Sequence, residues 1–191
     1  MLSLKVKYSI IFCVVGIILS ACVSGVDFDQ GEDFAISPIL DASLIYFEEP
    51  ASTFVDEDGL EQTIVRDSVV IDAFSDQFVI DNLIKAEFLF EVTNSIDRSY
   101  QAQVDFLDEI DDIRHSFTFS VDASPTNTDI LVEHLEVFEN ESLDALKQTI
   151  KLVITLTLMP STDGSVLDEN SPGRLIFKSK ATFYLNIDSS S

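Results

Sequence analysis

Beyond residue 40 the chain alternates apolar and polar residues, and this alternation strongly limits the folds available to it. Successive side chains of a β-strand point to opposite faces, so a period of two predicts strands with one buried face. The C-terminal segment shows the pattern best. Its apolar positions are Leu175, Phe177, Ala181, Phe183, Leu185 and Ile187, and its polar positions are Lys178, Lys180, Thr182, Tyr184 and Asn186. We expect a long strand here that covers a core.

The same period recurs along the body of the chain. It predicts further strands at 43–47, 64–71, 85–92, 100–106, 116–121, 130–138 and 150–159. Residues 94–99 would join two of these strands as a hairpin, and three consecutive strands with short connections predict one antiparallel sheet. The segment 150–159 is apolar on both faces, which is typical of a central strand.

One segment departs from this period. Leu143, Leu146 and Ile150 recur at helical spacing after Asn140, a residue type that favours the N-cap. We therefore expect one short helix, at about residues 141–148, before the penultimate strand. Crossover helices of a parallel sheet are missing, so the sequence predicts an all-β fold, an antiparallel sandwich of about 7–9 strands.

This succession of strands around one late helix resembles the immunoglobulin-like β-sandwich. The resemblance is architectural, because the chain has no tryptophan and no cysteine pair in its body to match the hallmarks of that group. It implies a shape and no activity. No repeat and no Pro/Gly-rich linker interrupts residues 41–191, so we expect a single domain there.

The first 22 residues have the organisation of a secretory signal peptide. Lys5 and Lys7 form a basic start, an apolar run extends from Tyr8 to Leu19, and small residues precede Cys22. The apolar run is too short for a membrane-spanning helix, which needs about 20 residues.

Leu19, Ser20, Ala21 and Cys22 match all four positions of the lipobox, so this segment resembles the processing site of bacterial lipoproteins. The resemblance implies cleavage before Cys22, with residues 1–21 as the signal peptide, and a diacylglycerol thioether on Cys22. The protein's partner would then be a membrane, reached through two or three acyl chains that hold far more firmly than one. An ordinary secretory signal followed by a chance cysteine is the alternative.

The residues after Cys22 bear on location. Val23 is not the aspartate that resembles an inner-membrane retention signal in enteric-type bacteria, so the outer membrane is favoured. The acidic residues that follow resemble the stretch found in surface-exported lipoproteins, which favours display at the cell surface: Asp27, Asp29, Glu32 and Asp33. A solvated acidic tether over residues 22–40 is the simpler interpretation.

Charge and cysteine content exclude several kinds of partner. The chain carries 34 acidic and 11 basic side chains, a formal net charge of −23. Loss of Lys5 and Lys7 with the signal peptide would leave 9 basic side chains and a net charge of −25. Such a field repels phosphate backbones, so we expect no nucleic-acid partner. Cys13 would leave with the signal peptide and Cys22 would be acylated, so no thiol remains for a disulfide or a metal.

The sequence contains no recognisable catalytic constellation. A serine nucleophile needs a histidine base, and no nucleophile motif accompanies His115 or His134. We interpret both as ordinary strand residues. Two facing carboxylates could hydrolyse a glycoside, but chance pairs are unavoidable among 34 acids. We expect a protein that is not an enzyme and needs no cofactor.

Calcium is the one metal with a weak indication, because hard cations take several oxygen ligands from a loop. Two loops are dense in carboxylates, the first with Asp105, Asp108, Glu109, Asp111 and Asp112, and the second, a predicted turn, with Asp56, Glu57 and Asp58 before Gly59. Neither has EF-hand spacing. Acidic turns that keep strand edges soluble are the alternative.

Together these expectations describe a lipid-anchored envelope protein that acts through protein contacts, as a structural piece or as the accessory subunit of an envelope partner. A glycan- or substrate-binding lipoprotein for nutrient uptake is the alternative, and it needs exposed aromatics such as Tyr46 or Tyr184 beside a groove. A hydrolase is the third hypothesis, and it needs two buried, facing acids with raised pKa values.

Fatty-acid labelling tests the anchor. In a Gram-negative host fed a clickable fatty acid, the unaltered chain should incorporate label and the Cys22→Ala variant should not, because the thioether requires that thiol. Cys13→Ala, inside the signal peptide, is the matched control and should label normally. Label on the mature Cys22→Ala protein would contradict the lipoprotein assignment.

Overall fold

The computed structural model describes residues 35–161 and 163–188. The predicted signal peptide, Cys22 and the acidic residues 27–33 lie outside this part. The chain divides into a body, residues 36–187, and a second unit formed by residues 1–35 and 188–191. Nearly all the described residues belong to the body.

Ten strands and two short helices make up the described part of the chain. In chain order they are β1 (Ala35–Ile36), β2 (Ile39–Pro50), β3 (Ile64–Val70), α1 (Gln77–Asn82), β4 (Leu83–Asn94), β5 (Tyr100–Leu107), β6 (Ile113–Val121), β7 (Ile130–Phe138), α2 (Glu141–Leu146), β8 (Lys151–Leu158), β9 (Arg174–Leu185) and β10 (Ile187–Asp188). Turns of 3₁₀ helix occupy Ala51–Phe54 and Asp72–Ser75.

Eight of these strands form two antiparallel sheets of four strands each, and β1 pairs with β10. Sheet A has the order β2-β9-β4-β7, and sheet B has the order β3-β8-β5-β6. The predicted antiparallel β-sandwich is confirmed. The central position predicted for residues 150–159 is also confirmed, because β8 lies between β3 and β5.

The inner faces of the two sheets meet in one apolar core. The ring of Phe88 in β4 packs edge-on against Phe106 of β5 at 5.4 Å and against Phe138 of β7 at 5.3 Å. Phe106 and Phe138 lie 5.0 Å apart, so this trio joins the two sheets directly. Each such aromatic pair adds about 0.5–1.5 kcal/mol beyond the burial of its area. Most described phenylalanines therefore serve the core, as their inward positions in the sequence indicated.

The predicted hairpin at residues 94–99 is wrong. β4 pairs with β9 and β7 in sheet A, whereas β5 pairs with β8 and β6 in sheet B. The chain therefore crosses from one sheet to the other between Asn94 and Tyr100, a segment called the corner below. The three strands from residue 83 to residue 121 do not form one sheet.

Asn94 explains why the chain turns at the corner. Its buried side-chain amide donates hydrogen bonds to the carbonyl oxygens of Arg98 at 2.8 Å, Asp122 at 2.7 Å and Ile96 at 3.3 Å. Its side-chain oxygen accepts the Ile96 N–H at 2.9 Å. A buried backbone group needs a partner, and at the corner this side chain supplies one for the Ile96 N–H and for the carbonyl oxygens of Arg98 and Asp122.

The loop before β9 packs directly against the corner. The Ser95 N–H donates to the Arg174 carbonyl oxygen at 2.9 Å, and the Arg174 N–H donates to the Ser95 hydroxyl at 2.9 Å. Gly173 has a φ of +100°, and a Cβ built on it would lie 2.3 Å from the Ser95 carbonyl oxygen. Glycine is required here both by its backbone conformation and by this close approach.

Arg98 ties two further loops to the corner. Its side chain is 3% exposed, and its guanidinium donates to Glu61 Oε2 at 3.3 Å, to the Ser165 hydroxyl at 3.0 Å and also to the Ser165 carbonyl oxygen. The same Glu61 oxygen accepts the Leu167 N–H at 2.7 Å. This buried ion pair holds the loop after β8 against the loop after β2.

Helix details differ from the sequence prediction. α2 ends at Leu146, and Asn140 does not cap it: its φ is +54° and its side chain makes no capping hydrogen bond. Ser142 instead lies at the N-terminal end of α2, where its hydroxyl accepts the Glu139 N–H at 3.0 Å. α1 was not predicted, because it buries none of its residues and so shows no apolar period. The one residue in the sequence that could have indicated α1 is its N-cap, Asp76, whose carboxylate accepts the Phe78 N–H.

Substitution of two glycines tests the close packing at the corner. Gly164 also has a positive φ, +79°, but nothing lies within 4 Å of a Cβ built there. Gly164→Ala should lower the free energy of unfolding by about 1 kcal/mol through backbone strain alone. Gly173→Ala should lower it by about 3–5 kcal/mol, because the clash with Ser95 is added. Equal losses in denaturant titrations of the two variants would contradict the packing described.

Candidate functional site

Each edge strand of the sandwich carries an acidic or histidine side chain on the side that faces the other sheet. They are Glu49 in β2, Asp67 in β3, His115 in β6, and His134 and Glu136 in β7. Inward-pointing polar groups of this kind keep a sheet edge from pairing with other chains. Because they lie on edge strands, these inward-facing ionisable groups are found at the two open sides of the sandwich.

Both histidines of the chain meet on one carboxylate at the side formed by β6 and β7. His115 Nε2 lies 2.6 Å from Glu136 Oε1, and His134 Nε2 lies 3.0 Å from Glu136 Oε2. All three side chains are between 19% and 27% exposed. Because β6 belongs to sheet B and β7 to sheet A, the His115–Glu136 contact links the two sheets.

Aromatic rings complete this side. The imidazole of His134 stacks on Phe117 at 4.5 Å and on Phe119 at 5.1 Å, with interplanar angles of 17° and 6°. His115 packs edge-on against Phe138 at 4.8 Å. The histidines are therefore packing groups on a half-buried carboxylate. This agrees with their interpretation as strand residues but adds a pairing that the sequence analysis missed.

The chemistry available to this cluster is limited. Each Nε2 is engaged with Glu136, and no serine or threonine hydroxyl contacts either ring within the described ranges. No group of three or more histidine, cysteine, aspartate or glutamate side chains in the described part could hold a metal ion. The arrangement fits a structural link between the edge strands β6 and β7.

The first acidic loop uses its carboxylates internally. Asp108 accepts the Ile110 and Asp112 N–H groups at 3.0 and 2.9 Å and pairs with the Arg114 guanidinium. Asp105 lies inside β5, where it accepts the Ser116 hydroxyl and the Gln103 amide, and Asp111 pairs with Lys151. Asp112 is exposed. The weak calcium candidates Asp105, Asp108, Asp111 and Asp112 are thus distributed over different partners.

The second acidic loop is the turn that the sequence predicts. The Asp56 carboxylate accepts the Asp58 and Leu60 N–H groups at 3.0 and 2.8 Å, and Gly59 has a φ of +76°. Asp56 and Gly59 therefore have the roles that aspartate and glycine ordinarily have in a turn.

Three carboxyl groups in the described part of the chain have shifted pKa values, and all three shifts run opposite to that of a general acid. Hydrogen bonds from Lys85 and Tyr184 hold the pKa of Glu87 below its ordinary value. Burial raises the pKa of Asp108, but hydrogen bonds from the Asp112 N–H, Arg114 and the Ile110 N–H outweigh it and lower that pKa. Hydrogen bonds from the Ser161 and Ser165 hydroxyls lower the pKa of Asp163. A glycosidase acid would need a raised value.

The open side between β2 and β3 contains a small cleft of about 150 Å³. Phe47, Val65, Ile154 and Leu156 contribute apolar lining, and Glu49, Arg66 and Asp67 add charged groups. This volume is below the range of about 300–1,000 Å³ that ordinary small-molecule sites occupy.

The outer face of sheet A carries an exposed apolar row on its edge strand β7. Leu131, Leu135 and Val137 are 55%, 53% and 41% exposed, and Leu89 of β4 lies directly opposite Leu135. Charged side chains flank the row, with Glu133 inside it and Lys180 opposite Leu89 on β9. Exposed apolar patches with a polar rim mark contact surfaces. We call these four residues the apolar row.

The aromatics that a glycan platform would need are separated. Tyr46 is 66% exposed and lies opposite Lys178, whereas Tyr184 lies opposite Ile39 and Lys85. Lys178 and Tyr184 are six positions apart along β9, which is about 20 Å along a strand. The Tyr184 hydroxyl also donates to Glu87 at 2.9 Å. The two tyrosines do not form a stacking pair.

Comparisons with known proteins give no family. No family model matches the chain, and no curated protein matches it. In the described part, no helix is long and apolar enough to cross a membrane.

Several solved structures are similar in outline. A protein of Parabacteroides distasonis that is described as secreted has 16% identity and a TM-score of 0.48, over 63% of this chain and 37% of its own. The infectious bursal disease virus VP2 subviral particle has 11% identity and a TM-score of 0.44, over 78% and 32%. The enzymatically active domain of the bacteriophage CBA120 tailspike protein 4 has 11% identity and a TM-score of 0.38, over 83% and 20%.

The chain spans only 20% to 37% of the length of these structures. All three TM-scores lie below 0.5, so the fold rests on the strand pairing of the chain itself.

The pH dependence of stability tests the role of Asp108. Because its pKa is lowered by folding, its contribution is present at neutral pH and is lost as the pH falls below about 4, the ordinary range of an aspartate. Asp108→Asn should therefore be less stable than the unaltered chain at pH 7, and the difference should shrink toward pH 3. The exposed neighbour Asp112→Asn should change little at either pH. A difference for Asp108→Asn that is constant from pH 7 to 3 would contradict this role.

Proposed function

We propose that this chain is a lipid-anchored protein of the outer membrane that acts through contact with another envelope protein and not through catalysis. The apolar row on β7 is the observation that carries the proposal. Three branched aliphatic side chains on one face of an edge strand, interrupted only by Glu133 and each more than two-fifths exposed, cost hydration free energy unless a partner covers them.

The lipobox at residues 19–22 supports the anchor. With lipid on Cys22, the residues from there to the start of the body at Ile36 could span at most about 50 Å, because an extended chain covers about 3.3–3.6 Å per residue. The body would then stay close to the membrane surface. Confinement of this kind raises the effective concentration of a partner in the same membrane, so a modest contact surface suffices.

The charge of the body supports a role away from lipid headgroups. A net charge of −25 on the mature chain repels an anionic membrane surface, which favours a body that stands off the bilayer on its tether. Its sheet faces would remain free for partners.

The histidines and the shifted carboxyl groups support a role other than catalysis. Both imidazoles lie on Glu136 and pack on aromatic rings, and the pKa values of Glu87, Asp108 and Asp163 are lowered. A carboxyl group whose pKa is lowered is not a general acid near neutral pH.

Photo-crosslinking in living cells of the organism that encodes the chain tests the proposed contact. A photoreactive amino acid at Val137 should give one discrete adduct with an envelope protein. Leu135→Glu, which places a charge in the centre of the apolar row, should abolish this adduct. Ile64→Glu, an exposed apolar position on sheet B, is the matched control and should leave it intact. No adduct, or an adduct that survives Leu135→Glu, would contradict the proposal.

A further inference from the structure

The strands of sheet A carry five acidic side chains on their outer face, and these differ in how their charge is neutralised. Three of them form ion pairs within the molecule: Glu87 with Lys85 at 2.8 Å, Glu48 with Arg174 at 3.4 Å, and Asp41 with Lys180 at 3.8 Å. The other two are Glu91 of β4 and Glu133 of β7. In the described part of the chain, neither of these two carboxylates takes part in an ion pair or a hydrogen bond.

The two unpaired glutamates lie within the apolar row. Strand register places Glu91 directly opposite Glu133, and the next outward pair along the same two strands is Leu89 and Leu135. On β7, Leu131 lies on the other side of Glu133. Like charges that face each other on antiparallel strands are destabilising. The unneutralised charge of this face therefore coincides with its exposed apolar surface.

Neighbouring cations offset this charge only in part. Lys178 of β9 lies opposite Glu91, on the side away from β7. Among the residues that the structure describes, no ion pair joins its ammonium group to Glu91. Glu133 is exposed on the edge strand, so no further strand of sheet A lies beyond it to supply a cation. At least one negative charge is left without a counterion in the centre of the apolar row.

We propose that the partner of the apolar row is a protein segment that places an arginine or lysine over Glu91 and Glu133, with apolar side chains on either side of it. This inference rests on the proposed function and names the chemistry of the partner. A guanidinium can donate to two carboxylates at once, and the aliphatic stem of a basic side chain packs on apolar surface such as that of Leu135. Removal of the repulsion between the two glutamates adds to the gain on binding.

Charge disfavours the other occupants of this surface. Nucleic acid and anionic lipid headgroups would add phosphate charge to the two carboxylates. A second copy of the chain, bound through the same row, would bring its own Glu91 and Glu133 close to those of the first, and like charges across an interface cost affinity. A divalent cation alone would neutralise the carboxylates but would leave Leu131 and Leu135 exposed.

Photo-crosslinking from Val137, in cells of the organism that encodes the chain, tests the charge requirement. Glu91→Gln combined with Glu133→Gln removes both charges and keeps the size of the side chains, so the adduct should fall at least fivefold. Asp41→Asn combined with Glu48→Gln is the matched control. It removes two charges from the same outer face, at positions whose charges are already ion-paired, and should leave the adduct unchanged.

Mass spectrometry of the adduct then identifies the partner segment. This segment should contain an arginine or lysine between apolar residues. Replacement of that basic residue by glutamate should abolish the adduct, and Glu133→Arg in this chain should restore it by exchanging the two charges.

Denaturant titration of the purified full-length chain controls for folding. Because neither carboxylate has a partner in the described residues, Glu91→Gln combined with Glu133→Gln should not lower the free energy of unfolding. A decrease would show that these charges serve the fold, and it would overturn the inference.

The two proposals fail in different ways. An adduct that Leu135→Glu abolishes but the double glutamine variant leaves intact would keep the proposed contact and overturn this inference. A partner segment without a basic residue, or a partner that is a second copy of the chain, would overturn it as well. No adduct from the chain with unaltered glutamates would overturn both proposals.

Discussion

The buried amide of Asn94 is the interaction on which the arrangement of the two sheets depends. This one side chain pairs the Ile96 N–H and the carbonyl oxygens of Arg98 and Asp122 at the corner. A buried donor or acceptor left unpaired costs about 1–3 kcal/mol, so loss of the Asn94 amide would lower the free energy of unfolding. Because the chain turns here, β4 and β5 belong to different sheets. The close approach of Gly173 and the buried Arg98 then hold the surrounding loops on the same corner.

This crossing also separates the two outer surfaces of the sandwich. From β2 to β9, consecutive strands lie in opposite sheets except for β5 and β6, which pair with each other in sheet B. The contacts of His115 and His134 with Glu136 close one open side of the sandwich, between β6 and β7. The same side chains protect these edge strands from pairing with other chains.

Periodicity in the sequence was sufficient for the strands, because a period of two depends only on which face of a strand is buried. The segments predicted at 64–71, 100–106 and 130–138 match β3, β5 and β7 closely. Pairing was not predictable in the same way, since an alternating strand fits either sheet, and the hairpin at 94–99 was therefore wrong. The contact of His115 with Glu136 joins residues 21 positions apart in different sheets. Its one local signal is that His134 and Glu136 share the inward side of β7.

Nuclear Overhauser effects between backbone protons of facing strands would test the central claim, that the chain crosses between sheets at Asn94, most directly. The account predicts cross-strand contacts between Val92 and Phe177, which pair β4 with β9, and between Val104 and Ile154, which pair β5 with β8. A ladder of contacts between β4 and β5 around residues 94–99 would show a hairpin in their place, and it would contradict both the corner and the surfaces that follow from it.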